Sequence, residues 1–209
     1  MWARIGPASG IAGWVISLVG YSIHGYPKSG ASGKELVSWA SSTDPTRFAA
    51  AINIEAIGIL IIVAFYAWVC DLIRRNGKLG WLAILAFAMA VVWGATGIFG
   101  NAIYAALLDA GRSGIDTQSL VAINDVGDEL LKATYLFFGL AMIAIAAGAY
   151  RAKALPSWLT WPALMIGISL AIPATVNFGG LAVIIWAFVV GLLYILRPSR
   201  AGLIEASRE

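Results

Sequence analysis

Long runs without a charged residue alternate with short polar segments along this chain, and the runs predict its elements. The plainest is residues 124–151, NDVGDELLKATYLFFGLAMIAIAAGAYR. Asp125, Asp128, Glu129 and Lys132 open it, no charge occurs over 133–150, and Arg151 closes it. A helix crosses the hydrocarbon layer in roughly 17–25 apolar residues at 1.5 Å rise each, so this run predicts a membrane span with both ends marked by charge. Three others precede it: about 6–23 between Arg4 and Lys28, about 48–72, and the uncharged stretch between Lys78 and Asp109. Asp44-Pro45 is a start signal for the second, an N-cap acceptor followed by a proline whose missing N–H is harmless in a first turn. Between Lys153 and Arg197 there is again no charge, and as helix that stretch would be about 65 Å long, roughly twice the hydrocarbon thickness. Pro173 and the segment Asn177-Phe178-Gly179-Gly180 are read as the turn dividing it into a fifth span over 157–172 and a sixth over 181–196.

The polar segments are the connections. Residues 25–47 read as irregular, with a short amphipathic turn over 34–40. Residues 109–126 read as a polar connection whose second half is already helical, capped by Asp116 or Thr117. Gly6, Gly10, Gly13 and Gly20 in the first run, and Gly94, Gly97 and Gly100 in the third, suit close helix packing. The first run also has the outline of a signal peptide, but it lacks a good small-residue cleavage pattern. The expected fold is therefore all-α: a polytopic bundle of six spans over residues 1–196, followed by a polar tail over 197–209.

Charge orients the bundle. Arg4, Arg74, Arg75, Lys78, Arg151, Lys153, Arg197, Arg200 and Arg208 fall on one side, with eight acids from Glu35 to Glu129 on the other. The positive-inside rule then puts both termini of a cell-membrane protein in the cytoplasm, with Trp81, Trp158 and Trp161 at the inner interface. Composition supports a lipid setting: 60% of the 209 residues are hydrophobic and 12% charged, against about 25% charged in soluble domains. The net charge of +3 is scattered in short clusters, which argues against nucleic acid. A lone Cys70 excludes an intrachain disulfide and a thiol-rich metal site, and a lone His24 excludes a haem held by two histidines of this chain.

Candidate chemistry lies toward the acidic side. Glu55 stands about 10 Å along its helix from the start of the apolar run, where a carboxylate is costly unless it faces the bundle interior and finds a partner. Lys132 and Asn101 are the candidate partners, and the functional alternative is a proton, cation or polar-ligand site. Asp125, Asp128, Glu129 and Lys132 recur at i, i+3, i+4 and i+7, one helix face, with Asp128–Lys132 as an ordinary i,i+4 pair or the group as the lip of a pocket. His24, Asn101, Tyr104 and Asn177 also fall near the outer ends of their spans, so with Glu55 they could form an outward polar vestibule. No P-loop, dinucleotide fingerprint, nucleophile elbow or zinc-protease motif occurs, and nothing reads as an enzyme. No cofactor or metal is expected.

The inner-loop segment Lys153-Ala-Leu-Pro-Ser-Trp-Leu-Thr-Trp, running into a Gly-containing span, resembles bacterial multi-pass membrane proteins grouped only as domains of unknown function. The resemblance implies a six-span helical fold and a bacterial setting, and carries no functional residue. The sequence thus points to a non-enzymatic membrane protein whose outward cavity takes a small ligand or a membrane partner. The alternative is a small-solute or proton-linked transporter that uses Glu55.

Overall fold

The computed structural model describes residues 2–23, 25–77 and 80–196, so His24, Lys78 and the tail over 197–209 lie outside the described residues. Seven α-helices follow in order: α1 (Trp2–Ile23), α2 (Gly33–Ser42), α3 (Pro45–Asn76), α4 (Gly80–Ser113), α5 (Thr117–Ala152), α6 (Ser157–Ala171) and α7 (Val176–Leu196), with a 3₁₀ turn at Pro173–Thr175 before α7. Among the described residues there is no strand. α3, α4, α5 and the segment Pro173–Leu196 are long and apolar enough to cross a membrane, and α6 is a shorter apolar helix.

Side-chain caps set the helix starts. The Asp44 carboxylate accepts from the Arg47 N–H at 2.7 Å, with Pro45 in the first turn. Asp116 accepts from the Ser119 N–H at 2.9 Å and opens α5. Ser32 and Glu35 close a reciprocal capping box on α2. Gly114, with φ of 79°, ends α4, and the Ile115 N–H reaches back to the Ala110 carbonyl at 3.4 Å. That is the left-handed helix end that glycine serves best.

Two boundaries correct the sequence reading. α4 runs on through Asp109 and Arg112 to Ser113, so the connection expected over 109–126 is only residues 114–116. Charge marks where a helix leaves hydrocarbon, not where it stops, and α4 continues because α2 covers it: a Cβ on Gly111 would lie 2.6 Å from the Ala40 Cβ. Likewise Asn177-Phe178-Gly179-Gly180 is helical, and the break sits at residues 172–175. Gly179 lets α7 press on α6, where a Cβ would meet Leu170 at 2.9 Å.

Among the described residues the six helices other than α2 form an up-and-down ring in the order α1, α3, α4, α5, α6, α7 and back to α1, while α2 lies across the ends of α4 and α5. Glycine contacts fix the antiparallel registers. Along α1, Gly6, Gly10, Gly13 and Gly20 face Trp68, Phe65, Ile62 and Glu55 of α3 in turn, and Gly58 of α3 faces Ser17. Gly191 of α7 meets Pro7 and Ile11, so α1 begins and α7 ends on the same side of the ring. Arg4, Arg74, Arg75, Arg151 and Lys153 share that side, and α2, Asp116, Asp125 and Glu129 occupy the other.

Toward the basic end the ring is filled. Ile62, Phe65, Tyr66, Val69, Met142 and Ile145 are fully buried there. Trp186 Nε1 donates to the Leu159 carbonyl at 2.9 Å and Tyr194 Oη to the Ala154 carbonyl at 2.9 Å, tying α7 to the first turn of α6 and to the α5–α6 connection. Outward, Leu60, Ile84, Phe99, Met165, Phe178 and Leu181 are exposed, an apolar belt that matches lipid rather than water. Trp81, Trp158 and Trp161 are exposed at the basic end, where an interfacial indole is expected.

Candidate functional site

In its acidic half the ring encloses a cavity of about 630 Å³. Residues from α1, α3, α4, α5 and α7 line it, together with the connection between α1 and α2. Its floor is aromatic. Trp93 and Phe138 stack with centroids 4.3 Å apart and planes 18° from parallel, and Trp14 leans on both at 6.1 and 6.3 Å. Tyr66 closes the layer from below, edge-on to Phe138 at 5.5 Å. Gly97, Gly100 and Gly180 supply room: a Cβ on Gly100 or Gly180 would meet nothing within 4 Å.

The roof is a strap that sequence periodicity did not reveal, residues 25–32. Trp39 of α2 holds its start through Nε1 to the Gly25 carbonyl at 2.8 Å, and the buried Asn124 reaches the Lys28 carbonyl at 3.5 Å. Tyr26 turns inward onto Tyr104, with ring centroids 4.8 Å apart, and its hydroxyl lies 2.8 Å from Glu55 Oε2 and 2.5 Å from Asn101 Oδ1. One phenolic proton cannot serve two acceptors equally, and Asn101 Nδ2 has no partner among the described residues. Exchanging the amide oxygen and nitrogen of Asn101 gives each proton one acceptor: Asn101 donates to Tyr26, and Tyr26 donates to Glu55. In either orientation one buried atom of that amide faces the cavity unmet. Burial, and then the Glu55 carboxylate, raise the Tyr26 phenol well above its ordinary pKa, so it stays a donor.

Asp128 is the second fastening. Its carboxylate accepts from Ser29 Oγ at 2.7 Å, the Gly30 N–H at 3.2 Å and Tyr104 Oη at 3.2 Å. Gly127, directly before it, is needed for that approach, since a Cβ there would sit 3.1 Å from the Tyr104 ring. The strap therefore joins α1 to α3 and α4 through Tyr26, and to α5 through Ser29.

The sequence candidates separate on these coordinates. Glu55, Asn101, Tyr104, Asp128 and Asn177 line the one cavity. Asp125, Glu129 and Lys132 do not: they are exposed on the outside of α5, and Lys132 pairs with Glu129 at 2.6 Å rather than with Asp128. The four lie within about 100° of the helix surface, and Asp128 stands at the edge nearest the cavity, where three donors meet it. Neither does Lys132 reach Glu55, whose described partner is Tyr26. His24 lies outside the described residues. Cys70 is buried in the filled half, away from the cavity. Among the described residues, no group of three or more His, Cys, Asp or Glu could hold a metal ion.

On one flank the cavity wall is thin. α1 and α5 are not neighbours in the ring, and Leu18, Leu131 and Leu181, each exposed, line the cavity between α1, α5 and α7. No family model, curated protein or solved structure matches the chain.

Proposed function

We propose that this chain crosses the cell membrane six times with both ends in the cytoplasm, and that its outward cavity binds a small ligand without chemical conversion. The observation that carries the reading is one cavity with two dissimilar halves. Its size falls within the roughly 300–1,000 Å³ typical of small-molecule sites, with an apolar aromatic floor and a few polar groups above. Transport through Glu55 is the weaker reading. It needs polar or broken-helix features near the midplane and access to both sides, whereas Ile62, Tyr66 and Met142 fill the ring below the floor.

The test uses Gly100→Trp, which puts an indole into the open space beside Gly100. Wild-type protein in lipid nanodiscs is screened by ligand-observed NMR against a panel of soluble aromatic and aliphatic fragments. Some fragments are expected to bind the wild type and to be lost from a folded Gly100→Trp variant. A set of binders unchanged by that variant overturns the reading. Proteoliposomes that move a bound fragment, with flux abolished by Glu55→Gln, would establish transport instead.

A further inference from the structure

We infer that the cavity is selective for an organic cation, a protonated amine carried on an apolar, preferably aromatic, body. The inference rests on the proposal that the cavity is a ligand site, and adds the class of ligand.

Among the described residues Asp128 brings a carboxylate to the cavity lining at the strap, and no Lys or Arg lines it. Asp128 is met by two hydroxyls and one backbone N–H, all neutral donors, and no cation is in contact with its negative charge among the described residues. The nearest basic side chain on its own helix, Lys132, turns outward to Glu129. Within low-dielectric walls such a charge acts on a ligand more strongly than it would in water.

The aromatic lining points the same way. Trp14, Tyr21, Tyr26, Trp93, Tyr104, Tyr135 and Phe138 all face the cavity, and the negative faces of such rings attract an ammonium group while their bodies shed water onto an apolar one.

A second, independent observation indicates that the walls are built to meet polar atoms of an occupant. Asn101 is 7% exposed and Trp14 9% exposed, both line the cavity, and an atom of the Asn101 amide and Trp14 Nε1 have no partner among the described residues. Unmet buried groups of this kind are rare because each gives up its hydration without a replacement. A ligand whose ammonium lies near Asp128 would set its body on the Trp93–Phe138 stack; in the exchanged orientation the unmet Asn101 oxygen can accept from that ammonium, whereas Trp14 Nε1 is a donor and selects no cation.

Three probes with one body and different heads make the test: 4-phenylbutylamine, 4-phenylbutanol and 4-phenylbutyrate, titrated at neutral pH into the protein in nanodiscs of neutral lipid, with empty nanodiscs subtracted. The amine is expected to bind at least tenfold more tightly than the alcohol, and the carboxylate more weakly than either. Asp128→Asn, which keeps an acceptor for Ser29 and Gly30, is expected to bring the amine-to-alcohol ratio down toward one. The ratio is read within one variant, so a general loss of stability does not imitate the effect. Equal binding of amine and alcohol overturns the inference and leaves the ligand-cavity reading standing, provided that Gly100→Trp removes both. Tighter binding of the carboxylate, absence of binding by the amine, or amine binding unaffected by Gly100→Trp also overturns it.

Discussion

The same substitution, glycine to alanine in the middle of a long helix, should have opposite consequences at Gly58 and at Gly100. At Gly58 a Cβ would lie 2.4 Å from the Ser17 nitrogen, 2.7 Å from its Cα and 2.8 Å from the Gly13 oxygen, all of them backbone atoms of α1. Backbone cannot rotate away as a side-chain tip can. Restoring ordinary contact, roughly 3.5 Å between centres, requires α1 and α3 to part locally by about 1 Å. Gly13 and Gly20 on the same seam would then lose their own approaches to Ile62 and Glu55. Overpacking of this kind costs about 1–3 kcal/mol, against roughly 0.5–1 kcal/mol that alanine gains over glycine in a helix. Gly100→Ala meets nothing within 4 Å and keeps only the gain. Thermal unfolding of both variants in one detergent, followed by circular dichroism, should show Gly58→Ala melting below the wild type and Gly100→Ala at or above it, with a gap of roughly 1–3 kcal/mol between the two, since the helix gain is common to both. Equal melting temperatures would refute the claim that α1 and α3 are held at backbone contact.

Three further outcomes are expected. Tyr26→Phe removes the hydroxyl between Glu55 and Asn101, and should lower stability by about 1–3 kcal/mol and speed limited proteolysis within residues 25–32; unchanged cleavage would mean that the strap is fastened elsewhere. Asp116 should give the start of α5 an acid-dependent weakness. The Ser119 hydroxyl and backbone N–H hold its carboxyl below the ordinary value, so the cap is fully present above the unfolded pKa of about 3.9 and is lost as pH falls through the lower folded value. Amide exchange at Ser119 and Leu120 should accelerate in that acid range in the wild type, and Asp116→Asn should abolish the pH dependence. Finally, cysteines placed at Arg75 and at Ile115 should label from opposite sides of sealed vesicles, and labelling from one side would contradict six crossings.

Uncharged runs marked the helices because hydrocarbon tolerates few charges, and Asp44, Asp116 and the glycines of α1 were readable since capping and close approach demand particular residue types. What escaped was set by tertiary contact. The strap has no period, so nothing along the chain indicated that Tyr26 would turn inward onto Tyr104 or that Ser29 would meet Asp128. The aromatic floor joins Trp14, Trp93 and Phe138 from three helices, and each alone reads as an ordinary apolar residue. Glu55 drew attention by its cost in oil, and Asp128 only as one of four charges at helical spacing; which of the four turned inward depended on donors that the strap supplies. The end of α4 was missed for a related reason, since its polar last turns are sheltered by α2.

On the proposed reading, the thin flank between α1, α5 and α7, together with the strap overhead, makes the bilayer the phase that supplies the cavity. A solute arriving past Leu18, Leu131 and Leu181 comes out of the bilayer, where its concentration is the aqueous value multiplied by a partition coefficient. Each added methylene favours that reservoir by about 0.8 kcal/mol, close to fourfold. Extending the alkyl chain of a bound amine so that the new carbon stays in the hydrocarbon beside this flank should therefore tighten its apparent dissociation constant, referred to the aqueous amine, by about that factor per carbon.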